Sequence, residues 1–390
     1  MREDKSAVNT ILTLKKVFRE YYFNQSKAVE EPFRIDQREF GYMQFGQPGM
    51  LRHLSFKSMK ELDAVLVKEA PSDVYCSNAY YEFPTGQPMQ EKHWLGADLI
   101  FDIDGKDLRM PCVPSHSYPV CIECGAASPP RHDEERPYSC SSCGSNKADY
   151  VSIPCSKCID GSRREANRLI DFLLFDLGLD RSAITIYFSG NNGFHVHIND
   201  EGYISLDPQA RSDLVSYLCG TGLILESIGV RKSNTEKSFF IKFPKSGLAY
   251  GWRRRIAEKL KIDMTSTIKF KNIVNQYGGY DTFKIEFERL VKEMGVKIDP
   301  QVTTDVHRIF RMPGTLNSKS GLSKTKCTDL FSFDPFVDAC LLGDNIINIR
   351  LKSPVRFRIK KNIFNISKES AELPAYAAVY LMCKGLAVAN

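Results

Sequence analysis

Two aspartates, Asp102 and Asp104, lie in a run from Gly96 to Asp107 where Ala97, Leu99, Phe101 and Ile103 alternate with the residues between them. A period of two marks a strand with one face buried, so both carboxylates point the same way, roughly 6 to 7 Å apart. Carboxylates that close repel and lose hydration unless a cation sits between them. A hard divalent ion, Mg²⁺ or Mn²⁺, is the natural occupant, because it takes oxygen ligands and leaves positions open for substrate phosphates. By itself the D-x-D pattern reads equally well as a strand ending in a polar turn.

Two more segments carry chemistry-bearing residues. Ser189-Gly190-Asn191-Asn192-Gly193, followed by His195, has the composition of a phosphate cradle: glycines admit an anion to the backbone, and Ser189 and His195 add donors. Alone, it reads first as an ordinary hairpin. Residues Asp299 to Leu322 bring a third carboxylate together with Arg308, Arg311 and Lys319. A solvated face has that composition, but so does a cationic loop beside a three-carboxylate metal site, as transfer of a triphosphate requires.

Cysteines form the next pattern. Seven of the twelve fall between Cys112 and Cys158, six of them in three C-x-x-C pairs. In a reducing compartment this clustering reads as zinc rather than disulfides. Cys121, Cys124, Cys140 and Cys143 have zinc-ribbon spacing. A third pair, Cys155 and Cys158, follows, with Cys112 and His116 upstream.

These groups need elements to hold them. Residues 6–23 have the periodicity of an amphipathic helix, residues 38–45 and 51–56 read as a hairpin around Gly46 to Gly49, and Ser58 caps a short helix to about Lys68. A helix from about Ser162 to Leu179 precedes a strand at Ile184 to Phe188. The returning strand, Phe194 to Ile198, puts Phe194, Val196 and Ile198 on one face and His195 and His197 on the other. Residues 207–295 are mostly helical in pattern, with basic spots at Arg253 to Arg255 and Lys269 to Lys271. Strand-like alternation rich in Lys and Arg runs from Leu351 to Ile366, and a last helix begins near Pro374.

At 390 residues the chain implies two lobes or one domain with insertions. Its net charge of +6 permits nucleic-acid contact without demanding it. A charged N-terminus with no apolar stretch behind it, and no run long enough to span a bilayer, lead us to expect a cytoplasmic protein with no membrane partner.

The chain resembles the catalytic (small) subunit of the archaeal and eukaryotic replicative DNA primase. The likeness is clearest in Phe101-Asp102-Ile103-Asp104, in Ser189-Gly190 through Gly193 to His195, and in Val302-Thr303-Thr304-Asp305 through Arg308 and Arg311 to Pro313-Gly314-Thr315-Leu316. The resemblance implies an α/β fold with a mixed or antiparallel sheet core, flanking helices, a zinc lobe and a helical insertion. Residues 1–110, 159–206 and 296–390 would form the catalytic core, 111–158 the lobe and 207–295 the insertion. It implies that Asp102, Asp104 and Asp299 hold two Mg²⁺ or Mn²⁺ ions for nucleotidyl transfer. Ser189, His195, Arg308, Arg311, Asn317 and Lys319 would line the nucleotide pocket, with Glu39 and Arg52 near it. Asn192 and Asn317 stand where members commonly carry Arg and His.

The family's zinc knuckle follows the aspartate strand and ends on a C-x-x-C that opens a helix, which implies a nested partition. Cys112, His116, Cys155 and Cys158 would hold one zinc, and Cys121, Cys124, Cys140 and Cys143 a second. His132 is left over and could exchange with His116. Arg131, Arg136 and Lys147 would let the ribbon touch nucleic acid.

The expected activity is template-directed synthesis of short primers from nucleoside triphosphates on DNA, in a heterodimer with a primase large subunit. Two rival readings are a primase-like repair polymerase, which extends existing ends, and a zinc-ribbon nucleic-acid-binding module without catalysis.

Overall fold

The computed structural model describes residues 2–130, 137–232, 239–241, 250–261 and 267–390. In chain order it opens with α1 (Arg2–Asn24), β1 (Phe40–Met43), β2 (Met50–Leu54), α2 (Met59–Glu69), β3 (Asp73–Ser77), β4 (Ala79–Tyr81), β5 (Trp94–Ala97) and β6 (Leu99–Asp104). The cysteine-rich stretch holds β7 (Ser117–Cys121) and β8 (Ala148–Ser152), followed by α3 (Ser156–Phe175), β9 (Ile184–Phe188) and β10 (Gly193–Ile198). Then come α4 (Pro208–Cys219), β11 (Val230–Lys232), β12 (Phe239–Ile241), α5 (Gly251–Leu260), α6 (Thr267–Gln276) and α7 (Tyr280–Met294). The chain closes with α8 (Pro300–Thr304), β13 (Ile309–Arg311), β14 (Thr325–Lys326), α9 (Pro335–Asp338), β15 (Ile346–Leu351), β16 (Val355–Ile359), β17 (Asn362–Ile366), β18 (Ser370–Pro374), α10 (Ala375–Cys383) and β19 (Ala387–Ala389).

Two four-stranded sheets carry the fold, in the orders β13-β3-β1-β2 and β14-β9-β10-β6, and every pairing within them is antiparallel. On β6, Leu99, Phe101 and Ile103 enter the main core, as do Phe194, Val196 and Ile198 on β10. Helix α3 covers that face with Ala166, Leu169, Phe172 and Leu173. The opposite face of β6 is covered as well: Ile100 packs with Val302 of α8 and Phe310 of β13 in a small cluster that joins the two sheets. The alternation therefore marks a strand enclosed on both sides, with its polar residues at one end.

Two sequence expectations need correction. Helix α3 begins at Ser156 and ends at Phe175, several residues ahead of the Ser162 to Leu179 span, because apolar spacing cannot see a first turn set by the cysteine knuckle. There Cys155 is the N-cap and the Cys158 amide bonds the Cys155 carbonyl at 3.1 Å. Ser58 occupies the N-cap of α2 without a capping bond from its side chain; Glu61 instead accepts the Lys57 amide at 2.8 Å.

The segment 207–295 holds α4 to α7 and the β11–β12 ribbon, and docks on α3. The basic spot on α5 is largely internal: Arg255 reaches Asp171 at 2.7 Å and Asp176 at 2.8 Å, and Arg254 reaches Asp176 at 3.4 Å. Arg211 of α4 is fully buried and donates to the carbonyls of Ala97, Asp98 and Leu206, which fixes the entry into β6.

Candidate active site

The antiparallel register of β10 against β6 places His195 opposite Asp102 and Gly193 opposite Asp104. Opposed residues share a sheet face, so His195 Nε2 lies 3.4 Å from Asp102 Oδ1. Gly193 is required at its position: a Cβ there would fall 2.2 Å from the Ile103 carbonyl oxygen.

Asp299 reaches the same place through a chain of backbone anchors. The Val296 amide bonds the Leu218 carbonyl at 2.9 Å, and the Lys297 amide bonds Glu165 of α3 at 2.7 Å. The Asp299 amide then bonds the carbonyl of Asp102 itself, at 3.0 Å. Asp299 caps α8, accepting the Gln301 amide at 3.0 Å, while Thr303 ties α8 to β6 by donating to the Ile100 carbonyl. Asp104 accepts from Lys106, through the amide at 3.0 Å and the ammonium at 3.0 Å.

The electrostatics follow from this convergence. Burial first, then the charges of Asp104 and Asp299, push the Asp102 carboxyl up to about 7, against the pull of Lys324 and Arg308. A carboxylate so disfavoured by like charges is one that a cation would restore. The donor set therefore fits a hard divalent ion. Burial, with Lys324, Arg311 and Arg308, holds His195 well below its ordinary value, so it is a neutral imidazole. Its Nδ1 is buried with no partner among the described residues.

The remaining candidates divide. Arg308 stands close enough to act on both Asp102 and His195, and among the described residues its guanidinium makes no hydrogen bond or ion pair. Arg311 is already engaged, 2.6 Å from Asp73 and 2.9 Å from the Leu316 carbonyl. Asn317 is buried against the cradle, 3.5 Å from the Ser189 carbonyl, and accepts the Lys319 amide at 2.9 Å. Ser189 closes the hairpin by bonding the Gly193 carbonyl through its amide. Asn192 accepts the Gly105 amide at 2.7 Å through its backbone carbonyl. Glu39 is buried with Lys92, whose ammonium lies 3.6 Å away, and is reached at 2.9 Å by the exposed Arg52.

Lys324 is a residue the sequence reading missed. It is fully buried, its ammonium lies 3.2 Å from His197 Nε2, and burial beside Arg311 lowers it to about 7. Nothing in the run Leu322-Ser323-Lys324-Thr325 distinguishes it from a solvated turn; only the pairing of β14 with β9 carries it inward.

The cysteines assemble in the nested arrangement. Cys112, His116, Cys155 and Cys158 form one group and Cys121, Cys124, Cys140 and Cys143 another, each with ligand atoms within 4.8 Å of one another. Either group could hold zinc in tetrahedral coordination. The β7–β8 stem separates them. His116 turns Nε2 toward the Cys158 sulfur at 3.3 Å, while Nδ1 lies 3.0 Å from the Ser152 hydroxyl, the kind of outer partner that fixes a ligating imidazole. Backbone amides of Ser142 and Cys143 draw the Cys140 thiol down to about 6. Arg131, His132 and Arg136 lie outside the described residues.

Comparison with known proteins gives the family of the chain. A family model described as DNA primase small subunit matches residues 148–328. The DNA primase small subunit PriS of Nitrosopumilus maritimus is 41% identical over 377 residues, covering 96% of this chain and 97% of its own length. That of Cenarchaeum symbiosum is 38% identical, covering 97% and 98%, and that of Archaeoglobus fulgidus 31% identical, covering 96% and 98%. A converging trio of aspartates, the histidine opposite them and full-length kinship lead to one conclusion: the chain belongs to the DNA primase small-subunit family.

Proposed function

We propose that this chain is the catalytic subunit of a DNA primase that joins nucleoside triphosphates into short primers on a DNA template during replication. The observation that carries the reading is the meeting of Asp102, Asp104 and Asp299, sealed by the bond from the Asp299 amide to the Asp102 carbonyl. Bound at these carboxylates, two Mg²⁺ or Mn²⁺ ions would activate the primer 3′-hydroxyl and neutralise charge on the phosphates.

The chain's own groups do the rest. Arg308 and Lys319 present cations to the triphosphate, since the Arg308 guanidinium has no hydrogen bond or ion pair among the described residues and Lys319 is exposed. Arg311, held by Asp73, adds its field rather than a free fork. Neutral His195 can donate a hydrogen bond without adding a charge beside the metals. Ser189 and Asn317 shape the cradle around Gly190, where a Cβ would come within 3.1 Å of Asn317 Cβ. Glu39 and Arg52 brace the neighbouring edge as a pair.

In this reading residues 1–110, 159–206 and 296–390 make the catalytic core, 111–158 a zinc lobe and 207–295 a helical insertion. The enzyme works in the cytoplasm with a large subunit, which the small-subunit name of its relatives implies. No helix among the described residues is long and apolar enough to cross a membrane.

The test is primer synthesis on an unprimed single-stranded template. Asp102→Ala, Asp104→Ala and Asp299→Ala should each abolish product while leaving the thermal melt cooperative. Undiminished synthesis by any of the three would overturn the assignment.

A further inference from the structure

The last helix, α10, delivers a cation to the cradle from far along the chain. Its residues from Ala375 to Met382 are all buried. The turn 317–322 packs on it so closely that a Cβ at Gly321 would fall 2.7 Å from Val379 Cγ1. That turn also clasps the cradle, where the Ser320 hydroxyl donates to the Gly190 carbonyl. Lys384, the residue that follows α10, is only 7% exposed. Its ammonium donates to Asn191 Oδ1 at 2.9 Å, across 193 positions of sequence. Ser189 to Gly193 hold no cation of their own.

Two properties of this contact point to a ligand. A buried ammonium is costly unless an anion meets it. Among the described residues Lys384 has no ion pair, and besides the Tyr380 ring at 5.6 Å its ammonium meets only the neutral Asn191 amide. Burial draws the amine down to about 8, with Cys383 and then Lys319 acting in opposite senses, so it keeps its proton at neutral pH. An ammonium can also only donate, which fixes the Asn191 carboxamide with its oxygen toward Lys384. The Asn191 NH2 group, without a partner among the described residues, is left to serve as a donor. We propose that Asn191 contacts the triphosphate of the incoming nucleotide and that Lys384 is its positioning residue, orienting the amide and lending the cradle a positive field. This rests on the reading above, in which the cradle receives a triphosphate. A polyanion seated there supplies the counter-charge that Lys384 lacks, through a donor that adds no charge of its own.

The experiment is binding of a fluorescent nucleoside triphosphate with Mg²⁺ and no template, to the full chain with zinc retained, with inorganic tripolyphosphate as competitor. For Lys384→Met and for Asn191→Ala we expect nucleotide and tripolyphosphate each to bind about tenfold more weakly, the worth of one hydrogen bond to a charged group. Lys384→Arg, which keeps the charge and the donors, should recover most of that loss. Because the two residues act as one unit, Lys384→Met/Asn191→Ala should lose little more than either single change. The thermal melt separates positioning from bracing: Lys384→Met removes a buried charge and should melt no lower than the parent. Parent-like affinity in Lys384→Met, or losses that multiply in the double variant, would overturn the proposal. So would a loss of affinity matched by a lower melt that Lys384→Arg does not repair. A parent chain that binds no nucleotide would overturn the reading of the cradle itself, and this proposal with it.

Discussion

Replacing Asp102 with asparagine should make the protein more stable while destroying its metal site. In the folded chain the carboxyl is raised from 3.8 to about 7, by burial and then by Asp104 and Asp299. At about 1.36 kcal/mol per pH unit, keeping Asp102 ionised costs the fold about 4 kcal/mol. The side chain is 24% exposed, so this is a ceiling, and about 2 kcal/mol is a reasonable floor. A carboxyl raised on folding holds its proton in the native state over a range where the unfolded chain has released it. Stability is therefore lost as pH climbs from about 4 to about 7, and the deficit is complete above that. The asparagine amide cannot ionise and keeps nearly the same shape. Urea unfolding of both proteins from pH 4 to pH 8.5, in Mg²⁺-free buffer with zinc retained, measures the difference. Asp102→Asn should be more stable by about 2 to 4 kcal/mol at pH 8, with the advantage vanishing near pH 4. Added Mg²⁺ should stabilise the parent by mass action and the variant far less. A variant no more stable than its parent at pH 8, or a gap that ignores pH, would refute the reasoning.

Cys158→Ser should lose the metal held with Cys112, His116 and Cys155, the inner one at the root of the lobe, together with several kcal/mol of stability, since Cys158 is buried in the first turn of α3. Cys140→Ser should lose only the outer metal and leave the core melt unchanged, because its cluster involves just Cys121, Tyr138 and small neighbours; zinc content by mass spectrometry, alongside calorimetry, checks both. Lys324→Met removes a cation that favours ionised Asp102, so Mg²⁺ affinity should weaken roughly three- to tenfold, the scale of one charge interaction at intermediate dielectric. Unchanged Mg²⁺-dependent stabilisation would show that its field does not reach the site.

Asp102, Asp104 and His195 are legible on their strand faces because a strand's period of two survives in sequence, whereas Asp299 joins them only through the family resemblance. Once Asp102 and His195 fall on polar faces of neighbouring strands, register does the rest. The ribbon group, Cys121 to Cys143, is legible because ligand spacing is a short-range constraint; the group of Cys112, Cys155 and Cys158 comes from the family resemblance, and His116 is the histidine found with it among the described residues. What escaped was anything decided by distant chain meeting distant chain. Lys324 looks like a turn lysine until β14 pairs with β9. Arg311 reads as a free cation until Asp73, from a strand far earlier, takes it. The arginines of α5 pass for a basic surface until Asp171 of α3 and Asp176, the residue that caps its C-terminus, meet them.

The nested cysteine groups give assembly a direction. Ligands 121–143 close a loop inside the one that ligands 112–158 must close, and shorter loops forfeit less chain freedom on closing. Capturing the inside loop first lets β7 and β8 zip together, which delivers His116 beside Ser152 and shortens the span still to be joined. A ribosome releases residue 143 before residue 155, so synthesis runs in the same sense, and the lobe can mature from its tip toward its root before α3 locks it to the body.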